Sequence, residues 1–190
     1  MKIGLFFGSF NPIHNGHITL ANYMLNNSDL DYIWFVISPQ NPFKDKDSLL
    51  LESERLKMVN MSIVDNPRLK ANNIEFKLPK PSYTVDTLKI LSERHKEYEF
   101  VLMMGTDNLE NFHKWKDYET ILDKYEIYIY PRSTSDGGTL KNHPKVKTFN
   151  SNLNELSSTF IRNEIKENRE IKNFLPLVVN NYIKRKGFYK

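Results

Sequence analysis

Tyr32-Ile33-Trp34-Phe35-Val36-Ile37 is an unbroken β-prone apolar run, which suits a strand covered on both faces, as in a parallel sheet. Phe100-Val101-Leu102-Met103-Met104 has the same character, Met1 to Phe7 is apolar apart from Lys2, and Tyr125 to Tyr130 reads as a further strand. Between the runs lie helical patterns. Ile18, Ala21 and Leu25 recur near helical spacing. Positions 51, 56, 59 and 63 form an apolar stripe that opens with Glu52, Ser53 and Glu54 and stops at Asp65-Asn66-Pro67. Val85, Leu88 and Leu91 give the segment from Ser82 to about His95 an inward face, and shorter helices are expected from Tyr118 to Leu122 and from Leu156 onward. Leu175 to Lys186 closes the chain as a helix with Pro176 in its first turn. Short strand-like pieces fall around Leu69, over Ile74 to Leu78 and over Val146 to Phe149. Strand alternating with helix throughout predicts an α/β doubly wound parallel sheet with helices on both faces.

A chain of 190 residues, 39% hydrophobic and 26% charged, is expected to form one domain spanning 1–190, with 150–190 as a helical part. It has no cysteine, which excludes disulfides and thiolate chemistry. Met1-Lys2 runs straight into a strand, and no apolar stretch approaches a membrane span, so the expectation is a cytoplasmic protein without a membrane partner. The net charge of +4 is partly Lys184, Arg185, Lys186 and Lys190, cations that complement the dipole of a C-terminal helix. That balance points to small anionic molecules rather than to nucleic acid.

The chemistry concentrates where strands end. Gly8-Ser9-Phe10-Asn11-Pro12-Ile13-His14-Asn15-Gly16-His17 leads from the first strand into the first helix. Gly8 and Gly16 let an anion approach the main chain, and the helix N-terminus adds unpaired N–H donors. His14 and His17 can face the same anion. A bare turn with incidental histidines is the plain alternative. A zinc pair is disfavoured, because such sites need three or four ligands and neither cysteine nor a His-Glu-x-x-His pattern occurs. Lys44 follows the second strand in a loop with two prolines, where open α/β sheets place ligands. Gly105 and Asp107 follow the 100–104 run, either as ordinary turn residues or placed for close backbone approach and for accepting hydrogen bonds from ribose hydroxyls. Tyr83 and Thr84 open a helix, where Thr84 either caps it or presents its hydroxyl to a ligand. Trp115, flanked by lysines, either packs on the next helix or offers a stacking platform for a flat heterocycle. Arg132 precedes a soft stretch, 133–138, read as a flexible lid. Ser157 or Ser158 caps a further helix with Arg162 in its first turn, and with Thr159 these are read either as a phosphate clamp or as a plain cap beside a surface arginine.

Taken together, the first turn, Ser82 to Leu88, Gly105 to Trp115 and Leu156 to Arg162 closely resemble the bacterial nicotinate-nucleotide adenylyltransferases, nucleotidyltransferases with a His-x-x-His signature. The resemblance covers nearly the whole chain. It implies a Rossmann-like fold of the adenylyltransferase type and transfer of AMP from ATP to nicotinate mononucleotide, giving nicotinate adenine dinucleotide and pyrophosphate in NAD synthesis. It assigns His14, His17, Lys44 and Arg162 to the reacting phosphates. Gly8, Ser9 and Phe10 fall to the nucleotide turn, Ser158 and Thr159 to the β- and γ-phosphates, Gly105 and Asp107 to ribose. Tyr83, Thr84, Trp115 and Arg132 fall to the acceptor, and Mg2+ is implied on the ATP phosphates rather than in a protein cage. Related activities on nicotinamide mononucleotide or phosphopantetheine, and a non-catalytic nucleotide-binding module, are the alternatives. Phe7 replaces the family's first glycine, Leu156 a common isoleucine, and no Pro-Gly follows Arg132.

Overall fold

The computed structural model describes residues 1–39, 49–150 and 156–190. Six parallel strands form one sheet: β1 (Lys2–Gly8), β2 (Tyr32–Ile37), β3 (Leu69–Asn72), β4 (Glu99–Gly105), β5 (Glu126–Tyr130) and β6 (Val146–Thr148). Their order is β3-β2-β1-β4-β5-β6. The order reverses between β1 and β4, so the crevice for a ligand opens above the carboxyl ends of these two strands.

The apolar runs are explained by two cores, one on each face. Phe6, Ile33, Phe35, Val101, Met103, Tyr128 and Tyr130 point to one face, where α1 (Asn15–Asn27), α2 (Glu52–Ile63), α6 (Ser158–Lys166) and α7 (Leu177–Lys186) contribute Met24, Met58, Ile161 and Val179. Their sequence neighbours Leu5, Trp34, Val36, Leu102, Met104, Ile127 and Ile129 point to the other face. There α3 (Thr84–Arg94), α4 (Thr106–Glu110) and α5 (Tyr118–Lys124) supply Leu88, Leu91, Leu109 and Ile121. With every one of these strand residues buried on one side or the other, no polar alternation is needed.

Three expectations require correction. Ile74–Lys77 is a 3-10 helix, not a strand, because Asn72 Oδ1 accepts the Ile74 N–H at 2.9 Å and ends the ladder in a turn. Arg162 lies beyond the first turn of α6, since Ser157 is the N-cap and its hydroxyl accepts the Phe160 N–H. Pro176 stands at the N-cap of α7 rather than inside its first turn. Among the described residues no helix is long and apolar enough to cross a membrane.

Candidate active site

A cavity of about 910 Å³ opens above the carboxyl ends of β1 and β4, and the two helical layers contribute one wall each. Gly8, Ser9, Phe10, His14, His17, Ser158, Thr159 and Arg162 line it from the layer of α1 and α6. Tyr83, Thr84 and Trp115 line it from the layer of α3 and α5, and Asp107 and Arg132 also face it. Residues distant in sequence thus share one space. Lys44 lies outside the described residues.

His14 is the N-cap of α1 and His17 its third residue, which stacks the two imidazoles with centroids 3.6 Å apart and planes 20° from parallel. His17 Nδ1 accepts the His14 N–H at 3.3 Å, and the rings of Phe6 and Phe10 brace His17 edge-on at 5.8 and 5.1 Å. A Cβ on Gly16 would stand 3.1 Å from His14 Nδ1, so glycine leaves room for the stacked pair. Phe10 holds a left-handed φ of 46°, and its ring lies where a Cβ on Gly8 would meet it at 2.8 Å. Burial, and after it the positive charge of Arg132, push His14 down to about 3, so these surroundings hold it neutral.

The start of α6 is bonded to this turn. Ser158 Oγ donates to the Pro12 carbonyl at 2.8 Å, and Arg162 donates to the Asn11 carbonyl at 2.9 Å and to Thr159 Oγ1 at 3.2 Å. On the other wall, Thr84 is the first residue of α3 and Tyr83 its N-cap, so Thr84 does not cap the helix. Trp115 is half-buried, tilted against Phe112 of the preceding 3-10 turn at 5.2 Å, and lines the cavity. Lys116 reaches from the Trp115 segment to Asp86 of α3 at 2.9 Å and lies 4.9 Å from the Tyr83 ring centre.

Gly105 is buried and does not itself line the cavity. A Cβ there would overlap Asp107 Oδ1 and come within 3.0 Å of Arg132 Cγ, so its place in the site is to let those two side chains converge. Asp107 Oδ1 is buried with no hydrogen-bond partner among the described residues, an acceptor suited to a ligand hydroxyl. The 133–138 stretch is tied down rather than loose. Thr106 Oγ1 donates to the Ser135 carbonyl at 2.8 Å and accepts the Arg132 N–H at 2.8 Å, while Ser135 Oγ donates to the Thr106 carbonyl at 3.1 Å. Phe7 packs with the core under α3 and α5, on the opposite face from Phe6, and so does not crowd the histidines.

The model of the cytidylyltransferase-like family matches residues 5–164. A Flavobacterium psychrophilum protein described as "Probable nicotinate-nucleotide adenylyltransferase" is 50% identical over the full length of both chains. The chain belongs to the nicotinate-nucleotide adenylyltransferase family. A Bacteroides fragilis protein of the same description is 40% identical over 97% of this chain and 92% of its own. The solved structure of a Plasmodium falciparum nicotinic acid mononucleotide adenylyltransferase complexed with NaAD superposes with a TM-score of 0.84 at 23% identity, covering 99% of this chain and 97% of that one, and shares the fold.

The sequence reading did not single out Glu75, which lines the cavity, or Arg55 and Tyr189, which brace it from behind. Arg55 of α2 is fully buried and donates to the carbonyls of Ser9, Ser38 (2.8 Å), Pro39 (3.0 Å) and Leu50 (3.0 Å), joining the β1 turn to the end of β2. Its signal was a cation on the apolar face, three and four residues before Met58 and Val59. Tyr189 donates its hydroxyl to Asn11 Oδ1 at 2.8 Å, under the phosphate turn, and no pattern in the chain announces that. Glu75 is buried against Ser82 and Thr87 in the wall formed by the start of α3.

Proposed function

We propose that the protein transfers AMP from ATP to nicotinate mononucleotide: a phosphate oxygen of the acceptor bonds to the α-phosphorus, the bond from that phosphorus to the bridging oxygen of the β-phosphate breaks, and pyrophosphate leaves. The observation that carries this reading is the stacked His14–His17 pair in one cavity with Arg162, Asp107 and Trp115. An acceptor phosphate, with its second pKa near ~6, is already ionised near neutral pH, so the site needs charge stabilisation and alignment rather than a general base. The cavity offers cations, hydroxyls and N–H groups, with Asp107 and Glu75 as its carboxylates.

In this reading His14 and His17 donate to the α-phosphate as charge develops, and Gly8, Ser9 and Phe10 surround the triphosphate. Ser158, Thr159 and Arg162 hold the departing pyrophosphate, and Asp107 accepts from a ribose hydroxyl. Phosphates bring opposite charge beside His14 and favour its protonated form, which burial and Arg132 otherwise suppress. Tyr83, Thr84 and Trp115 take the pyridine ring, with α3's first N–H groups directed to its carboxylate, and Arg132 serves the acceptor side. Among the described residues no group of three or more His, Cys, Asp or Glu could hold a metal, and this donor chemistry fits Mg2+ arriving on the ATP phosphates. The C-terminal helices complete the phosphate site of a single 1–190 unit, and the reaction belongs in the cytoplasm, where ATP is supplied.

Incubation with ATP, Mg2+ and nicotinate mononucleotide, followed by mass identification of products, tests the proposal. Nicotinate adenine dinucleotide with stoichiometric pyrophosphate is expected. Release of ADP or orthophosphate instead would refute it.

A further inference from the structure

Glu75 is a carboxylate with only 2% of its surface exposed, placed just after β3 in the 3-10 turn Ile74–Lys77. A group so buried is tolerated only when its oxygens are hydrogen-bonded. One oxygen accepts from Ser82 Oγ at 2.9 Å and the other from Thr87 Oγ1 at 2.8 Å. Ser38, at the end of β2, is a further side-chain hydrogen-bond partner. Burial pushes the carboxyl upward, and the three hydroxyls oppose the rise by favouring the charged form.

The spacing of its partners gives the interaction its meaning. Ser82 precedes, and Thr87 follows, the N-cap Tyr83 and the first helical residues Thr84 and Val85. The Asp86 and Thr87 N–H groups close back on the Tyr83 carbonyl at 3.1 and 3.2 Å, so the first orphan donors of α3 belong to Thr84 and Val85. Glu75 therefore grips this helix start from both sides, with both oxygens engaged in the grip. Glu75, Ser82, Tyr83 and Thr84 line the same cavity wall.

We propose that Glu75 is the positioning residue of the acceptor pocket: by pinning Ser82 and Thr87 it fixes the N–H groups at the start of α3 toward the carboxylate of the acceptor. The inference rests on the functional reading above. A rigidly held donor pair binds an anion without a further ordering cost, whereas a loosened turn loses that advantage for the acceptor alone. The turn after β1 is anchored through Arg55, Asn11 and Arg162, and the two anchors meet at Ser38, whose carbonyl accepts from Arg55 and whose side chain bonds Glu75.

Steady-state kinetics with each substrate varied in turn test this on Glu75→Gln and Ser82→Ala. The amide keeps the shape of Glu75 but replaces one of its two acceptors with a donor. Each variant is expected to raise KM for nicotinate mononucleotide about tenfold, while kcat and KM for ATP stay within about twofold of wild type. The double variant is expected to be little worse than Glu75→Gln, because both changes break one device. An unchanged acceptor KM in both single variants, or an equal rise in KM for ATP, would overturn the inference while leaving the proposed reaction intact. Wild-type protein that does not adenylylate nicotinate mononucleotide would overturn both. Should Glu75→Gln fail to fold, Ser82→Ala alone carries the same split between the two KM values.

Discussion

The two walls of the cavity are built by different means. On the side of α1 and α6, the buried Arg55 and the partly buried Ser158 and Arg162 are bonded to backbone carbonyls of the turn itself: Arg55 to Ser9, Ser158 to Pro12, Arg162 to Asn11. On the side of α3 and Trp115, the outer closure is an exposed ion pair, Lys116 to Asp86, with Tyr83 40% exposed beside it. Low-dielectric, multiply bonded groups hold geometry tightly, whereas exposed pairs contribute little and yield readily. Both walls therefore have a fixed inner part, held by Arg55 at the turn after β1 and by Glu75 at the start of α3, and the yielding part is confined to the outer closure of the second wall.

The largest expected effect breaks the first wall. His17→Ala should lower kcat by about two orders of magnitude or more with ATP binding nearly kept, as for loss of a transition-state donor. Turnover within a few-fold of wild type would contradict the role. Arg162→Lys keeps the charge but loses the planar fork that reaches both Asn11 and Thr159, and should cost about thirtyfold in kcat/KM for ATP. A comparable loss confined to the acceptor would dissolve the division between the walls. Trp115→Ala should do the converse, raising KM for the acceptor about tenfold with KM for ATP unchanged.

His14 sharpens the comparison through pH. Its folded value, about 3, lies below the ordinary 6.5, so between these values the unfolded chain binds a proton that the folded chain refuses. The stability associated with His14 is complete above 6.5 and is lost as pH falls toward 3, with a slope of up to about 1.4 kcal/mol per pH unit. Urea midpoints at several pH values across that window should fall more steeply for wild type than for His14→Asn; parallel curves would exclude the buried neutral imidazole. The smallest effect belongs to the exposed clasp. Asp86→Asn should raise acceptor KM about twofold, and the difference should fade with added salt.

What could be read from the chain follows the same division. Continuous apolar runs announce strands buried on both faces, and the structure places them so. His14 and His17 stand at the start of α1, just past β1, where open α/β sheets place ligands, whereas Arg162, beyond the first turn of α6, and Trp115, after a 3-10 turn, reach the same cavity from further off. Arg55 and Glu75 were not legible as site residues, because a buried charge is tolerated only through partners from other segments. Arg55 needs the carbonyls of Ser9, Ser38 and Pro39; Glu75 needs the hydroxyls of Ser82 and Thr87. The 133–138 stretch misled for a related reason. Its glycines and serines read as slack, but Thr106 ties it through Ser135, with hydrogen bonds spanning 29 positions.

The central claim is that one wall fixes ATP while the other chooses the acceptor. Pyrophosphate release measured at constant ATP with nicotinate mononucleotide, nicotinamide mononucleotide and phosphopantetheine in turn tests it most directly. The account predicts the highest kcat/KM with nicotinate mononucleotide, a lower value with the amide, which gains no charge-assisted bonds at the α3 start, and none detectable with phosphopantetheine. Turnover with phosphopantetheine but not with nicotinate mononucleotide would contradict it.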